Sequence, residues 1–213
     1  MSAAMVRTGG ILVFFLILAV LVSGIMLAGA AVGAGGRPDP AGFGAMLVLM
    51  TAVYNGVMTF VYWTTKGLFN AFSYSRADFP ILTLMTALAL NLLLTLLGGG
   101  NLPATGAAPA GGGGLGVLDA LSFGVLLAMI AAWIWFSVAA IGFGAQVGSL
   151  LWRAIGIVYL VASGLVAIAL ALLVSGSGAA FGMLALLAGA VMLGGWICHG
   201  IGLIVGAKEM ARI

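Results

Sequence analysis

Few side chains in this sequence could do chemistry, and most of them lie inside long apolar stretches. Asn55 and Asn91 fall near the middle of two such stretches, Tyr159 lies in a third and His199 in a fourth. If these stretches cross a membrane, polar groups at that depth are costly and often mark a site. We therefore predict a candidate polar cluster or ligand site of Asn55, Asn91, Tyr159 and His199. The alternative, which we favour, is that each asparagine bonds a neighbouring helix and serves only to hold the bundle together.

The available residue types argue against catalysis and against a resident cofactor. Cys198 is the single cysteine, so the chain forms no internal disulfide and no thiolate metal cluster. His199 is the single histidine, and no carboxylate is expected at bilayer depth to complete a metal site. We predict a protein that is not an enzyme and has no metal or cofactor of its own. A haem or pigment shared with a partner subunit stays open.

The segment around the histidine reads HGIGLIVG from His199 to Gly206, which fits the pattern His-x-x-Gly-x-x-x-Gly. This pattern resembles the sixth helix of rhomboid intramembrane proteases, six-helix bundles with both ends inside the cell. The resemblance implies that His199 would be the general base of a Ser–His dyad. The family's Gly-x-Ser-Gly is missing, however, since the nearest serine is Ser122, and only Asn55 remains of its His-x-x-x-Asn pattern. An inactive rhomboid-like protein is therefore a third alternative.

The elements that would position these residues are membrane-spanning helices. Of the 213 residues 64% are hydrophobic, mean hydropathy is +1.34, and only seven Lys or Arg and four Asp or Glu are present. A soluble domain normally has about a quarter of its residues charged. The apolar stretches are continuous rather than alternating, which indicates helices and not a barrel. We predict an all-α polytopic bundle of six transmembrane helices at about 10–34, 42–64, 80–97, 118–143, 154–174 and 180–205.

The few charges predict how this bundle is oriented. If the N-terminus is inside, the outer connections contain only Arg37, which lies beside Asp39. The inner segments then contain all the other cations, namely Arg7, Lys66, Arg76, Arg153, Lys208 and Arg212. Because positive residues collect on the cytoplasmic side, both termini are expected to be cytoplasmic. The first apolar stretch is longer than that of a signal peptide, so we expect it to remain as a helix.

The connections between these stretches leave no room for a second domain. We treat residues 1–213 as a single transmembrane domain, whose longest connection, 98–117, is a flexible Gly-rich outer loop. The chain has no Gly-x-x-x-x-Gly-Lys phosphate-binding pattern. Its net charge of +3 is spread over several segments, so we expect no nucleic-acid partner.

Small residues at four-residue spacing predict faces where helices approach closely. The chain has 35 glycines, and such spacing lets two backbones pack within the bundle or between subunits. The glycines that we assign to helix-packing faces are Gly29, Gly33, Gly144, Gly148, Gly194, Gly202 and Gly206.

Two main hypotheses about function follow. The first is a non-catalytic accessory or structural subunit of a larger membrane complex, packed through its small-residue faces. The second is a small-solute transporter or permease component whose midplane site contains Asn55, Asn91 and His199. The Ala- and Gly-rich composition is typical of a high-GC bacterium, which predicts the bacterial cytoplasmic (inner) membrane. The expected partners are the lipid bilayer and either other membrane subunits or further copies of this chain.

Overall fold

The chain is all-helical in a computed structural model that describes residues 1–33, 40–97 and 117–212. Side-chain surroundings are described for these residues except 23–33, 40–47, 119, 178 and 179. Six helices lie in this part of the chain, and they are α1 (Ala3–Gly33), α2 (Pro40–Ala71), α3 (Asp78–Leu96), α4 (Val117–Gln146), α5 (Leu150–Val174) and α6 (Gly178–Met210). Residues 98–116 of the predicted loop 98–117 lie outside the described residues, as does the charged pair Arg37 and Asp39, whereas Val117 begins α4.

Within the described residues, five of the helices contain a segment long and apolar enough to cross a membrane. These segments are Ala3–Val22, Asp78–Leu96, Ala120–Gln146, Leu150–Val174 and Ala180–Met210. The remaining helix, α2, has Asn55 and four threonines along the part whose side chains are described, which lowers its apolarity. Length and composition therefore suit a multi-pass helical membrane protein.

The helices form a closed ring in chain order. Each helix packs against the next, α6 packs back against α1, and α2 also touches α6 across the ring. The connections 72–77, 147–149 and 175–177 are short, as expected between antiparallel neighbours. The beginnings of α1, α3 and α5 therefore lie at the same end of the bundle as the ends of α2, α4 and α6. We call this the terminal end, because the first helix begins there and the last helix ends there.

Large aromatic side chains fill the interior near the terminal end. The fully buried ones are Tyr62, Phe69, Phe136, Phe143 and Tyr159. Phe69 lies between its neighbours, with its ring centroid 4.1 Å from that of Phe143. Interlocked rings of this kind give dense van der Waals packing, which matters because helices in lipid associate without a hydrophobic driving force.

Two glycine contacts set how closely the helices approach. A Cβ added to Gly10 of α1 would lie 2.6 Å from the carbonyl oxygen of Gly200 in α6. A Cβ added to Gly156 of α5 would lie 2.5 Å from the carbonyl oxygen of Ser137 in α4. Any larger residue at either position would force the two backbones apart. Neither pair was assigned to a packing face from the sequence.

The glycines that were assigned to packing faces have different surroundings. Gly202 faces Ile155 and Trp152 of α5, and Gly206 faces Leu68 of α2, so both lie at contacts within the bundle. No atom stands within 4 Å of a Cβ added to Gly194.

The other assigned glycines lie near helix ends. Gly144 abuts the backbone of Arg153 at the turn between α4 and α5. Gly148 occupies that turn with φ of +69°, a conformation that favours glycine. Gly29 and Gly33 lie where only the backbone of α1 is described.

Candidate functional site

The histidine predicted as a site residue is fully buried and bonded at both ring nitrogens. Its Nδ1 lies 3.0 Å from the hydroxyl of Tyr159 on α5, and its Nε2 lies 2.9 Å from the hydroxyl of Thr65 on α2. One imidazole thus joins three helices, since His199 itself belongs to α6. We call His199, Tyr159, Thr65 and the rings around them the His199 core.

The hydrogen-bond network assigns the tautomer of this imidazole. The hydroxyl of Thr65 donates its proton to the carbonyl oxygen of Val61, at 2.8 Å. It is therefore left to accept from His199, which places a proton on Nε2. Nδ1 then has a free lone pair, and the Tyr159 hydroxyl donates to it. A neutral imidazole accounts for all three contacts, and neither nitrogen remains free to act on a substrate.

Aromatic rings enclose the histidine on several sides. Phe136 stacks on the imidazole with 5.8 Å between centroids, and Trp152 meets it edge-on at 5.6 Å. The ring of Tyr62 lies 6.1 Å away, and its hydroxyl accepts a hydrogen bond of 2.9 Å from Trp133 Nε1. All these side chains are buried, so the histidine is sealed from solvent by rings that are themselves partnered.

The asparagines predicted to join this cluster lie elsewhere. Asn55 is on the same face of α2 as Tyr62 and Thr65, being seven and ten residues before them. It is buried, yet neither its Oδ1 nor its Nδ2 has a hydrogen-bond partner in the described structure. Asn91 is half-buried on α3, where its carbonyl oxygen accepts from Thr95. The structure thus brings together His199 and Tyr159, while no hydrogen bond joins either asparagine to them.

The serines in these helices make local bonds rather than a dyad. Ser122, Ser137 and Ser163 each donate to the carbonyl oxygen four residues earlier in their own helix. None of them bonds His199. The described residues also contain no group of three His, Cys, Asp or Glu side chains that could hold a metal ion. The hydroxyl groups that do contact His199 are those of Thr65 and Tyr159.

A cavity of about 400 Å³ lies close to the His199 core but is built differently. Side chains of α2, α4, α5 and α6 line it, and they are almost entirely apolar. Its aromatic lining comes from Tyr54, Trp133, Phe181 and Trp196. Trp196 is only 8% exposed, and its indole Nε1 has no hydrogen-bond partner in the described structure. We call this space the Trp196 cavity. Sequence reasoning missed it, because a tryptophan in an apolar helix gives no sign of which way it faces.

Other cavities or grooves lie elsewhere among the described residues. One of about 730 Å³ adjoins Met1, Lys66 and Asn70 at the terminal end, and one of about 310 Å³ adjoins Phe143 and Glu209. A groove of about 430 Å³ runs between α3 and α4. Asn55, Asn91 and His199 line none of these, nor do they line the Trp196 cavity.

Comparisons with protein-family models, curated proteins and solved structures found no match to this chain.

Proposed function

We propose that this chain is a non-catalytic structural or accessory subunit of a larger assembly in a bacterial cytoplasmic membrane. The observation that carries the proposal is the His199 core. Both ring nitrogens of His199, the single histidine of the chain, are hydrogen-bonded to neighbouring helices, and aromatic rings enclose the imidazole. A catalytic or transport histidine needs a free nitrogen and access, whereas a histidine that joins three helices needs neither.

We further propose six spans with both termini in the cytoplasm. The helix α2 qualifies as a span despite its polar residues, because Asn55, Thr64 and Thr65 are buried rather than exposed to lipid. The ion pair between Lys66 and Asp78, 3.8 Å apart, lies at the terminal end with most of the chain's other cations. Single cysteines placed by Ser2→Cys and Ser177→Cys in a Cys198→Ala background test this topology. A membrane-impermeant thiol reagent added to intact cells should label only the Ser177→Cys variant.

The surface of α6 distant from the terminal end suits contact with a partner helix. Met183 and Leu186 are exposed by 75% and 79%, and Leu187 is also exposed. Gly182 and Gly189 lie beside them, and no atom stands within 4 Å of a Cβ added at either. A small-residue surface of this kind lets another helix approach closely. Lipid alone would cover it equally well, so the partner has to be tested directly.

The test is site-specific photo-crosslinking in native membranes followed by gentle purification. A photoreactive amino acid at Leu186 should capture one defined protein in stoichiometric yield, which mass spectrometry then identifies. The matched control places the same probe at Leu90 of α3, which is also exposed. The proposal is overturned if Leu186 captures only lipid and the purified chain runs alone.

A small-solute transporter is the second candidate, and the buried Asn55 favours it. An amide that is buried without partners costs about 1–3 kcal/mol, which a bound solute or water would offset. Asn55→Leu and Asn91→Leu test this candidate. If the chain is a transporter, both variants should lose uptake or solute binding while still assembling. If it is a subunit, both should assemble and support the activity of the complex.

A further inference from the structure

The Trp196 cavity has the size and composition of a binding site for a small apolar molecule. Such sites enclose about 300–1,000 Å³ between helices and combine an apolar lining with a few polar groups. The Trp196 cavity, at about 400 Å³, falls in this range. Its walls include small residues such as Ala169 and Ala188, both buried, which leave the space open.

One buried polar atom in this lining, Trp196 Nε1, lacks a hydrogen-bond partner, and the hydroxyl of Tyr54 is a second polar group of the lining. The indole of Trp196 can only donate a hydrogen bond, and a buried donor without an acceptor is destabilising. The other indole, Trp133, already donates to Tyr62. No charged side chain lines the cavity. The lining therefore favours a ligand that is neutral, largely apolar, and able to present an acceptor oxygen to the indole N–H.

The depth of Trp196 decides between two sources of such an oxygen. Trp196 lies 14 residues before the end of α6 and 18 after its start, or about 21 Å and 27 Å along the helix. The ester carbonyls of phospholipids stay near the membrane interface, whereas the hydrocarbon core is about 30 Å thick. Near the middle of a span, the acceptor has to come from a molecule dissolved in the core.

We propose that the Trp196 cavity binds one neutral, membrane-dissolved molecule with a ring carbonyl, such as an alkyl-substituted quinone. The carbonyl oxygen accepts the hydrogen bond from Trp196 Nε1. The ring packs against the pair formed by Tyr54 and Trp196, whose centroids are 5.5 Å apart, and the alkyl tail lies along the small residues of α5 and α6. This inference does not depend on the proposed role as a subunit.

Retention of a probe by the full-length chain in lipid nanodiscs tests the site. The probe is a benzoquinone with a ten-carbon alkyl tail, quantified by extraction after gel filtration. We expect about one quinone per chain. Trp196→Phe keeps an aromatic ring but removes the donor, so affinity should fall about tenfold, equivalent to one hydrogen bond of about 1.4 kcal/mol.

Two variants of α6 separate filling of the cavity from general damage. Ala188→Leu adds bulk at a buried lining position and should abolish retention. Ala190→Leu adds the same bulk two residues away at an exposed position outside the lining, and should retain the quinone as the wild type does. If Ala188→Leu does not fold, Ala185→Leu replaces it, since Ala185 is a half-buried lining position about one turn earlier on α6.

A decylbenzene probe without carbonyl groups completes the experiment. It should be retained at least tenfold less well than the quinone. Equal retention of the two probes, retention that Ala188→Leu leaves unchanged, or displacement of the quinone by phospholipid alone would each overturn the proposal.

Discussion

Two regions built on opposite principles lie one turn apart on α6. In the His199 core, both nitrogens of the imidazole are bonded, and stacked rings fill the surrounding space. In the Trp196 cavity, three residues earlier, the indole N–H is buried without a partner beside a space of about 400 Å³. We call the His199 core the saturated region, because both ring nitrogens of its histidine are hydrogen-bonded. We call the Trp196 cavity the unsaturated region, because its buried indole N–H has no hydrogen-bond partner.

The difference separates structural polar groups from those that could bind something. A polar group surrounded by lipid cannot form hydrogen bonds with water. Its hydrogen-bond partner is therefore either another protein group or a ligand, and without a partner the group is destabilising. His199 belongs to the first class. Trp196 belongs to one of the other two, which is why we assign binding to the cavity and structure to the core. Substitutions in the two regions should consequently differ in their effect on stability.

The largest expected difference is between two phenylalanines. Phe69→Ala removes a ring packed between Phe143 and Trp152, next to the His199 core, whereas Phe181→Ala removes a half-buried ring from the cavity wall. We expect Phe69→Ala to lower the free energy of unfolding by about 3 kcal/mol, the low end for a buried phenylalanine, because lipid replaces water as the reference. Phe181→Ala should cost less than half of this. Equal losses in unfolding by sodium dodecyl sulfate in mixed micelles would contradict the comparison.

The close approach of α4 and α5 supports the His199 core and gives the next largest effect. Gly156→Ala places a methyl group 2.5 Å from the Ser137 carbonyl oxygen, so the helices must separate, at a cost of about 1–3 kcal/mol. Gly164→Ala, two turns further along α5, meets no atom within 4 Å. It should raise stability by up to about 1 kcal/mol, because alanine favours a helix more than glycine does. If both variants shift thermal unfolding alike, the close contact does not limit packing.

Hydropathy predicted the helices better than it predicted their ends. The expected second span stopped at residue 64, but α2 continues to Ala71, because helical hydrogen bonds extend beyond the apolar stretch. Thr65 was consequently placed outside the membrane and overlooked, although it is the partner of His199 Nε2. The polar character of the sequence near residue 65 gave no indication that this threonine faces inward.

The candidate site was predicted only in part, for a related reason. His199 and Tyr159 were placed in one cluster, and the structure joins them. Which face of each helix turns inward depends on packing between helices, and α6 is apolar on all sides, so its sequence does not distinguish an inward face. Trp196 could therefore not be told apart from a lipid-facing tryptophan such as Trp135, which is 51% exposed.

Asn55 tests the contrast between the His199 core and the Trp196 cavity, because it lies on the core-facing side of α2 and yet its side chain has no hydrogen-bond partner. If it is only an unsatisfied group, Asn55→Leu should raise the free energy of unfolding by about 1 kcal/mol, because a buried amide without bonds is replaced by an apolar side chain of similar size. The measurement is unfolding in mixed micelles, with Asn91→Leu on the half-buried face of α3 as the control. A loss of stability would show that Asn55 is bonded in the membrane, and its place in the unsaturated class would then be wrong.

The smallest effects test whether His199 acts as a joint between helices. Tyr159→Phe removes the donor to Nδ1, and Thr65→Val removes the acceptor from Nε2–H. Each should lower the free energy of unfolding by about 0.6 kcal/mol, the average for a hydrogen bond between helices in membranes, and at most by about 1.7 kcal/mol. Because both act through one imidazole, the double variant should cost less than the sum of the two, and in a His199→Leu background neither substitution should lower stability. Strict additivity, or an unchanged penalty in the His199→Leu background, would mean that the imidazole does not couple α2 to α5. The saturated region would then owe its stability to the aromatic rings alone.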